Sequence, residues 1–292
     1  MDRITSIQYL IARCVLWSLA HGPFALARFY SKLLDLALPR LRQVAMRNLS
    51  LAYPEKSIRE KRVITDQVFE SIARLLYSFA RFPQMNRENI SQWIRYEGLE
   101  HFTVAKQAGR GVLFATAHMG NWELSALAHG LMTEPMNIVI RPLDNPAVDR
   151  LVETRRQLSG NRLIGKWDSA RALLRALQQN EAVGILIDQN TSLEEGVFVN
   201  FFGTPACASP GFAKIAHRTG APVIPGFALW LENEQRYVLR FYPVVETTGD
   251  AANDTQQLHT LLESVIREYP GQWLWIHRRW KTRPPGEKPI YN

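Results

Sequence analysis

The sequence predicts an α/β fold: a single mostly parallel, mixed sheet flanked by helices, with an N-terminal membrane-associating helical segment. Three observations predict it. Short apolar runs alternate with helix-period segments from about residue 93 to residue 242, the pattern of strands joined by crossover helices. One of those runs, in Gly111-Val-Leu-Phe-Ala-Thr-Ala-His118-Met-Gly-Asn-Trp-Glu123, passes through a tight turn into a helical pattern. Residues 4–38 form a long apolar stretch, broken by Arg13 and by His21-Gly22-Pro23. We therefore divide the chain into that segment, 1–38, and a folded domain over 39–292.

Composition narrows the setting. Of the 292 residues 46% are hydrophobic, enough for a sizeable core. A net charge of +8 and a pI of about 9.7 point to an acidic partner: anionic lipid, nucleic acid or an acidic carrier protein. Eight tryptophans beside that charge favour a lipid interface, and no nucleic-acid partner is expected. Cys14 and Cys207 make neither a disulfide framework nor a metal spacing, which indicates a reducing compartment. The chain contains no internal repeat, P-loop or Gly-x-Gly-x-x-Gly motif.

Taken in order, Ile4, Ile7, Leu10, Ile11, Cys14, Val15 and Leu19 make a helical stripe. A full membrane span would bury Arg13 at a cost of roughly 2.5–3.5 kcal/mol, which a helix lying in the interface avoids. An interfacial helix and a buried helix of the folded domain are equally consistent with the stripe. Ala25-Leu-Ala27 matches a leader cleavage pattern, but the basic region before the apolar core is thin, so cleavage ranks last. Ser57 with Glu60 has capping-box spacing and opens a helix that Pro83 ends. A short extended piece at 93–96 and a helix at 99–106 lead into the strand at 112–117. Strands are predicted at 136–141 and 182–188. Between them lie a basic helix at 147–158 and a second helix capped by Asp168 or Ser169. Gly196-Val-Phe-Val-Asn-Phe-Phe-Gly203 is an aromatic strand or loop. Ser209-Pro210 starts a helix that Gly220 ends. Strands at 222–229 and 237–241 and a helix at 255–268 precede a tail that interleaves Trp with basic residues. That tail is either a docked strand with solvated charges or a surface for anionic groups.

The chemistry concentrates at His118. It stands at the C-terminal end of its strand, where open α/β sheets bind ligands. Asn121 is placed to cap the following helix and Glu123 lies in its first turn. A neutral imidazole there can deprotonate an alcohol, and a carboxylate on its other ring nitrogen fixes the tautomer. The helix-start N–H groups suit a developing oxyanion. The plainer alternative is a His bonded to its own turn beside an ordinary helix-start Glu. A metal set of His118, Glu123 and His129 lacks the His-Glu-x-x-His spacing, so no metal is expected. If the strands at 112 and 182 are parallel neighbours, Asp188 reaches the same sheet edge.

Six blocks in order carry a resemblance. They are Arg47-Asn-Leu with Tyr53-Pro-Glu55, His118-Met-Gly-Asn-Trp-Glu123, Arg141-Pro-Leu-Asp-Asn-Pro146, Asp188-Gln189 with residues 196–203, Arg218-Thr-Gly-Ala-Pro-Val-Ile-Pro225, and Trp273-Leu-Trp-Ile-His-Arg-Arg-Trp-Lys-Thr-Arg-Pro284. From about residue 44 to 285 the chain resembles the bacterial lipid A late acyltransferases of lauroyl/myristoyl type, a branch of the glycerolipid acyltransferases with the His-x4-acid box. The resemblance implies an acyltransferase domain over 39–292. Its reaction moves a fatty acyl chain from an acyl carrier protein or coenzyme A thioester to a hydroxyl of a lipid A precursor. The setting it implies is the cytoplasmic face of the inner membrane, without a cofactor. It makes His118 the general base and Glu123 its support. It places Arg156 and Asp188, with Asn121, at the substrate. Because Arg155 stands where the family often has Gly, the register leaves Arg155 as an alternative to Arg156.

Other acceptors share the box: a phosphatidylinositol mannoside, a lysophospholipid or an aminolipid. A lipid or thioester hydrolase would use the same base on water, although no Gly-x-Ser-x-Gly elbow is present. A non-catalytic membrane-binding protein is the third alternative. With no Ser or Cys in the box, transfer is expected to proceed without a covalent acyl-enzyme.

Overall fold

The computed structural model describes residues 3–165 and 169–291. Four helices come first: α1 (Arg3–His21), α2 (Phe24–Ala37), α3 (Pro39–Ala52) and α4 (Ile58–Arg81). Next are β1 (Ile94–Glu97), α5 (Leu99–Gln107), β2 (Val112–Thr116), α6 (Trp122–Met132), β3 (Met136–Ile140), α7 (Pro146–Arg156), β4 (Arg162–Gly165), α8 (Ser169–Gln178) and β5 (Ala182–Leu186). The hairpin β6 (Val197–Phe201) and β7 (Thr204–Ala208) precedes α9 (Gly211–Thr219), β8 (Val223–Leu231), β9 (Arg236–Phe241) and α10 (Ala251–Glu268).

Seven of these strands form one sheet in the order β1-β9-β8-β2-β5-β3-β4, parallel except where β8 meets β9. The α/β class and the mostly parallel, mixed sheet are as predicted. Two strands were not predicted. β4 is only Arg-Leu-Ile-Gly. β7 is Thr-Pro-Ala-Cys-Ala, small residues around a proline with little strand preference of their own. α10 starts earlier than predicted, because Asp250 accepts from the N–H groups of Ala252 and Asn253 and caps it. Asp168 lies outside the described residues, as does the Ser169 side chain.

Local chemistry sets the elements around the site. The Ser57 capping box forms in full at the start of α4. Asn145 caps α7 by accepting from Ala147 and Val148, and Pro146 occupies its first turn. β2 is buried on both faces, as a central parallel strand must be. One side of the sheet packs on α4, α5 and α6 through Phe114, Phe102, Leu124 and Phe241. The other packs on α8 and α9 through Leu113, Leu173, Leu177 and Phe212.

α1 and α2 divide their apolar residues between two environments. Leu16, Leu19 and Ala27 enter the core beside α4. The Arg81 guanidinium donates to the carbonyls of Leu19 and Gly22 and ties down the end of α1. Ile7, Leu10, Ile11 and Trp17 on α1, and Phe29, Leu33 and Leu36 on α2, are each more than half exposed. Among the described residues no helix is long and apolar enough to cross a membrane.

Candidate active site

Because β2 and β5 are parallel neighbours, with Thr116 opposite Leu186, the turns that follow them meet at one edge. His118 lies on the first turn and Asp188 on the second. The turn must approach β8 closely. Gly120 takes φ +59, its N–H donates to the Gln272 carbonyl, and a Cβ there would stand 1.8 Å from the Ala228 carbonyl oxygen. Asn121 then caps α6 by accepting from the Leu124 N–H.

Asp188, only 2% exposed, is the partner of His118. The backbone N–H of His118 donates to Oδ2 at 3.0 Å, and ring Nδ1 lies 2.9 Å from Oδ1. The Trp273 indole also donates to Oδ2, at 2.9 Å. Three donors hold the carboxyl ionised. Burial alone would raise its pKa, but the His118 charge and these bonds hold it well below the usual carboxylate range. Burial likewise pulls the His118 pKa down, and the charge and hydrogen bond of Asp188 outweigh it, so the net direction is up. An ionised carboxylate on Nδ1 selects the tautomer with the proton on Nδ1 and the lone pair on Nε2. The weak approach of the Gln189 amide to Nε2, at 3.4 Å, fits an acceptor there.

Glu123 was expected to support His118, and its side chain goes elsewhere. It forms a two-pronged ion pair with Arg156, at 2.9 and 2.5 Å, across the gap from α6 to α7. The side chains are 11% and 20% exposed, so the pair is largely out of water. Its charges act on His118 in opposite directions, Glu123 raising its pKa and Arg156 lowering it. Glu123 therefore anchors Arg156, and the two charges oppose each other at the imidazole. Removing one partner strands the other charge. We expect Glu123→Gln to lower stability by about 1–3 kcal/mol, less than a fully buried pair would lose. We also expect it to raise KM for the acceptor on the order of tenfold with a smaller change in kcat. A urea titration and steady-state kinetics check both, and unchanged kinetics would make the pair scaffold.

The other expected site residues separate cleanly. Arg156 lines the cavity beside His118, whereas Arg155 is not among the lining residues and its Nη1 reaches back to the Leu151 carbonyl. Of the two arginines, Arg156 is the one that faces the cavity. Asn121 is fully buried and committed to protein partners: it caps α6 and its amide donates to Ser78 Oγ. It shapes the turn and makes no wall of the cavity. His129 sits deep in an aromatic box of Phe102, Phe114 and Phe241, its Nδ1 against the Tyr96 hydroxyl.

The tail supplies what the sequence did not reveal. Met119 bridges to Trp273, and the Leu274 N–H donates to the His118 carbonyl. Trp273, Trp275 and Trp280 are all buried, and so is Arg279, which donates to the Cys207 carbonyl and lies over the Phe201 ring. His277 accepts from the Asn190 N–H and so fixes the loop after Asp188; burial holds its pKa down to about 4 and keeps it neutral. The tail is docked, as one reading expected, but as turns with a single bridge rather than a strand, and with Arg279 buried rather than solvated. The density of Trp in so short a tail was the one available signal.

A cavity of about 730 Å³ opens in front of His118. Its walls are mainly aliphatic and aromatic, with Arg141, Arg156, Gln189 and Asn190 among the polar groups of its lining.

His118, braced by buried Asp188, stands at the strand-end edge of a parallel sheet and faces a mainly apolar cavity, an arrangement with the chemistry to activate a hydroxyl. The chain belongs to the bacterial lipid A biosynthesis acyltransferase family, whose model matches residues 3–282. It is 30% identical over 279 residues to the lipid A biosynthesis lauroyltransferase of Escherichia coli, covering 93% of this chain and 90% of that one. With the E. coli palmitoleoyltransferase it shares 27% over 283 residues, 95% and 92% of the two chains. With a lipid A biosynthesis acyltransferase of Haemophilus influenzae it shares 26% over 245 residues, 83% and 76%.

Proposed function

We propose that the protein transfers a fatty acyl chain from an acyl-carrier-protein thioester to a hydroxyl of a lipid A precursor, at the cytoplasmic face of the inner membrane. The observation that carries this reading is His118: Nδ1 is held by buried Asp188 while the ring borders an apolar cavity. In the reaction Nε2 takes the acceptor hydroxyl proton as the oxygen attacks the thioester carbon. The new C–O bond forms, the C–S bond breaks, and the imidazolium returns its proton to the leaving thiolate. Asp188 stabilises the imidazolium between those events. The N–H groups of Gly120 and Asn121 already donate within the protein, so those of Trp122 and Glu123 remain for the oxyanion. Arg156, anchored by Glu123, and Arg141, exposed in the cavity lining, suit the phosphates of an anionic glycolipid. The net charge of +8 suits an acidic carrier protein. Neither step calls for a metal or a cofactor.

The experiment is an incubation with donor alone and with donor plus acceptor. Transfer predicts little free fatty acid from donor alone and an ester product when an under-acylated lipid A precursor is added. A hydrolase would release fatty acid in both. Acyl label retained on the protein after denaturation would refute direct transfer.

The exposed apolar faces of α1 and α2, with Arg13, Lys32 and Arg40 beside them, fit a helix pair lying in the headgroup region. The double variant Ile11→Ser, Trp17→Ser should bind anionic vesicles at least about tenfold more weakly, since each large apolar side chain withdrawn from water is worth about 1.5–3 kcal/mol. Vesicle co-sedimentation measures it, and unchanged binding would place the contact elsewhere.

A further inference from the structure

The cavity is built on two faces of the sheet. On the α6 side its wall includes Phe114, Ile138, Gly184, Gly226 and Phe241; on the α9 side it includes Ile185, Phe212 and Ile215. Only the α6 side has glycine where a strand would otherwise carry a side chain. Gly184 stands opposite both Phe114 and Ile138 in register, and Gly226 opposite Phe241. Both glycines are buried and lie in extended strands, so neither is needed for its backbone angles. What they supply is room.

That room is closed with little slack. A Cβ on Gly184 would stand 2.7 Å from the Met136 methyl, and one on Gly226 would stand 2.8 Å from the Phe241 ring. Met136 is four residues below Ile140 on β3, which puts it about 13 Å beneath the sheet edge. His129 also lines the cavity; it is buried, and burial takes its pKa to about 3, so it brings no charge to the chamber.

From this geometry we propose that the donor acyl chain runs down the α6 face over Gly184 and Gly226, and that Met136 is the stop that sets its length. This rests on the acyl-transfer reading and adds the residues that select the donor. Met136 is a flexible, unbranched side chain, so its end defines a stop that a single substitution can move. One methylene too many or too few in a fitted apolar pocket changes selectivity by about tenfold or more.

The test gives the purified protein a competing series of acyl carrier protein thioesters of increasing even chain length, with an under-acylated lipid A precursor, and compares product masses. Met136→Ala should shift preference to longer chains and Gly184→Val to shorter ones, each by about tenfold in the ratio of neighbouring lengths. Because Gly184 and Met136 share one space, the double variant should regain the fold stability that Gly184→Val loses and move the preference back towards that of the native protein. Displacement of a fluorescent fatty acid by free fatty acids of the same lengths reads the chamber without transfer. If the native protein transfers no acyl group but shows the same length shifts in displacement, the function reading fails and the gauge stands. If transfer or displacement proceeds with the profile unmoved in Met136→Ala and Gly184→Val, the gauge is wrong. A shift with Ile215→Phe instead would put the chain on the α9 side and overturn it equally.

Discussion

His118→Ala is expected to lower kcat/KM for acyl transfer by on the order of 10²–10⁴-fold, the contribution of a positioned general base. The ring is 16% exposed and makes its bonds through Nδ1 and its backbone N–H, so Nε2 is the atom placed for proton transfer. Truncation leaves the acyl chamber, Arg156 and the helix start of α6 untouched. Fatty acid displacement should therefore be unchanged while turnover collapses. Loss of both together would mean that the imidazole holds the chamber rather than moving the proton.

Asp188→Asn is the second large effect, on the order of 10³-fold in turnover, because an amide no longer enforces the tautomer with Nε2 free. Its pH signature is specific. Asp188 raises the His118 pKa against burial, so removing its charge lowers that pKa. The acidic limb of kcat/KM, where activity is lost as His118 protonates, should move to lower pH. Stability follows the same linkage. The depressed Asp188 pKa contributes stability above the ordinary value of 3.8, lost as pH falls through the folded one. The raised His118 pKa contributes below the ordinary 6.5 and is lost as pH rises through the folded one. The native protein should therefore exceed the Asn variant in stability most between those two ordinary values. Urea titrations across that range, with pH–rate profiles, test both signs. An acidic limb that stays in place would remove Asp188 from the His118 environment.

What could be read from the sequence was local. The β2 run is short and apolar, its turn contains the Gly that β8 leaves no room to replace, and Asn121 caps α6 from one residue away. The Ser57 box and the Asn145-Pro146 start of α7 are equally local. The pairing at the centre is not. Glu123 is five residues from His118 and Asp188 is seventy away, so local spacing pointed to the nearer carboxylate while the ring contact is made by the distant one. The second position of α6 directs Glu123 toward α7 and Arg156, and only the β2–β5 register brings Asp188 under the ring. The tail was left open between a docked segment and a surface for a related reason. Alternating Trp and base resembles a surface, yet Trp273 and Trp275 both turn inward and Arg279 is buried with them. The α1 stripe was divided rather than misread: Leu16 and Leu19 are core, while Ile7, Leu10, Ile11 and Trp17 stay outside.

One mass-spectrometric comparison tests the role of His118 most directly. The native protein and His118→Ala are incubated in lipid vesicles with acyl carrier protein thioesters and an under-acylated lipid A precursor. The expected product is a single added acyl mass on the precursor, esterified and accompanied by released thiol, falling by about 100-fold or more in the variant. An equal product yield from His118→Ala, or an unmodified precursor beside free fatty acid, would contradict it.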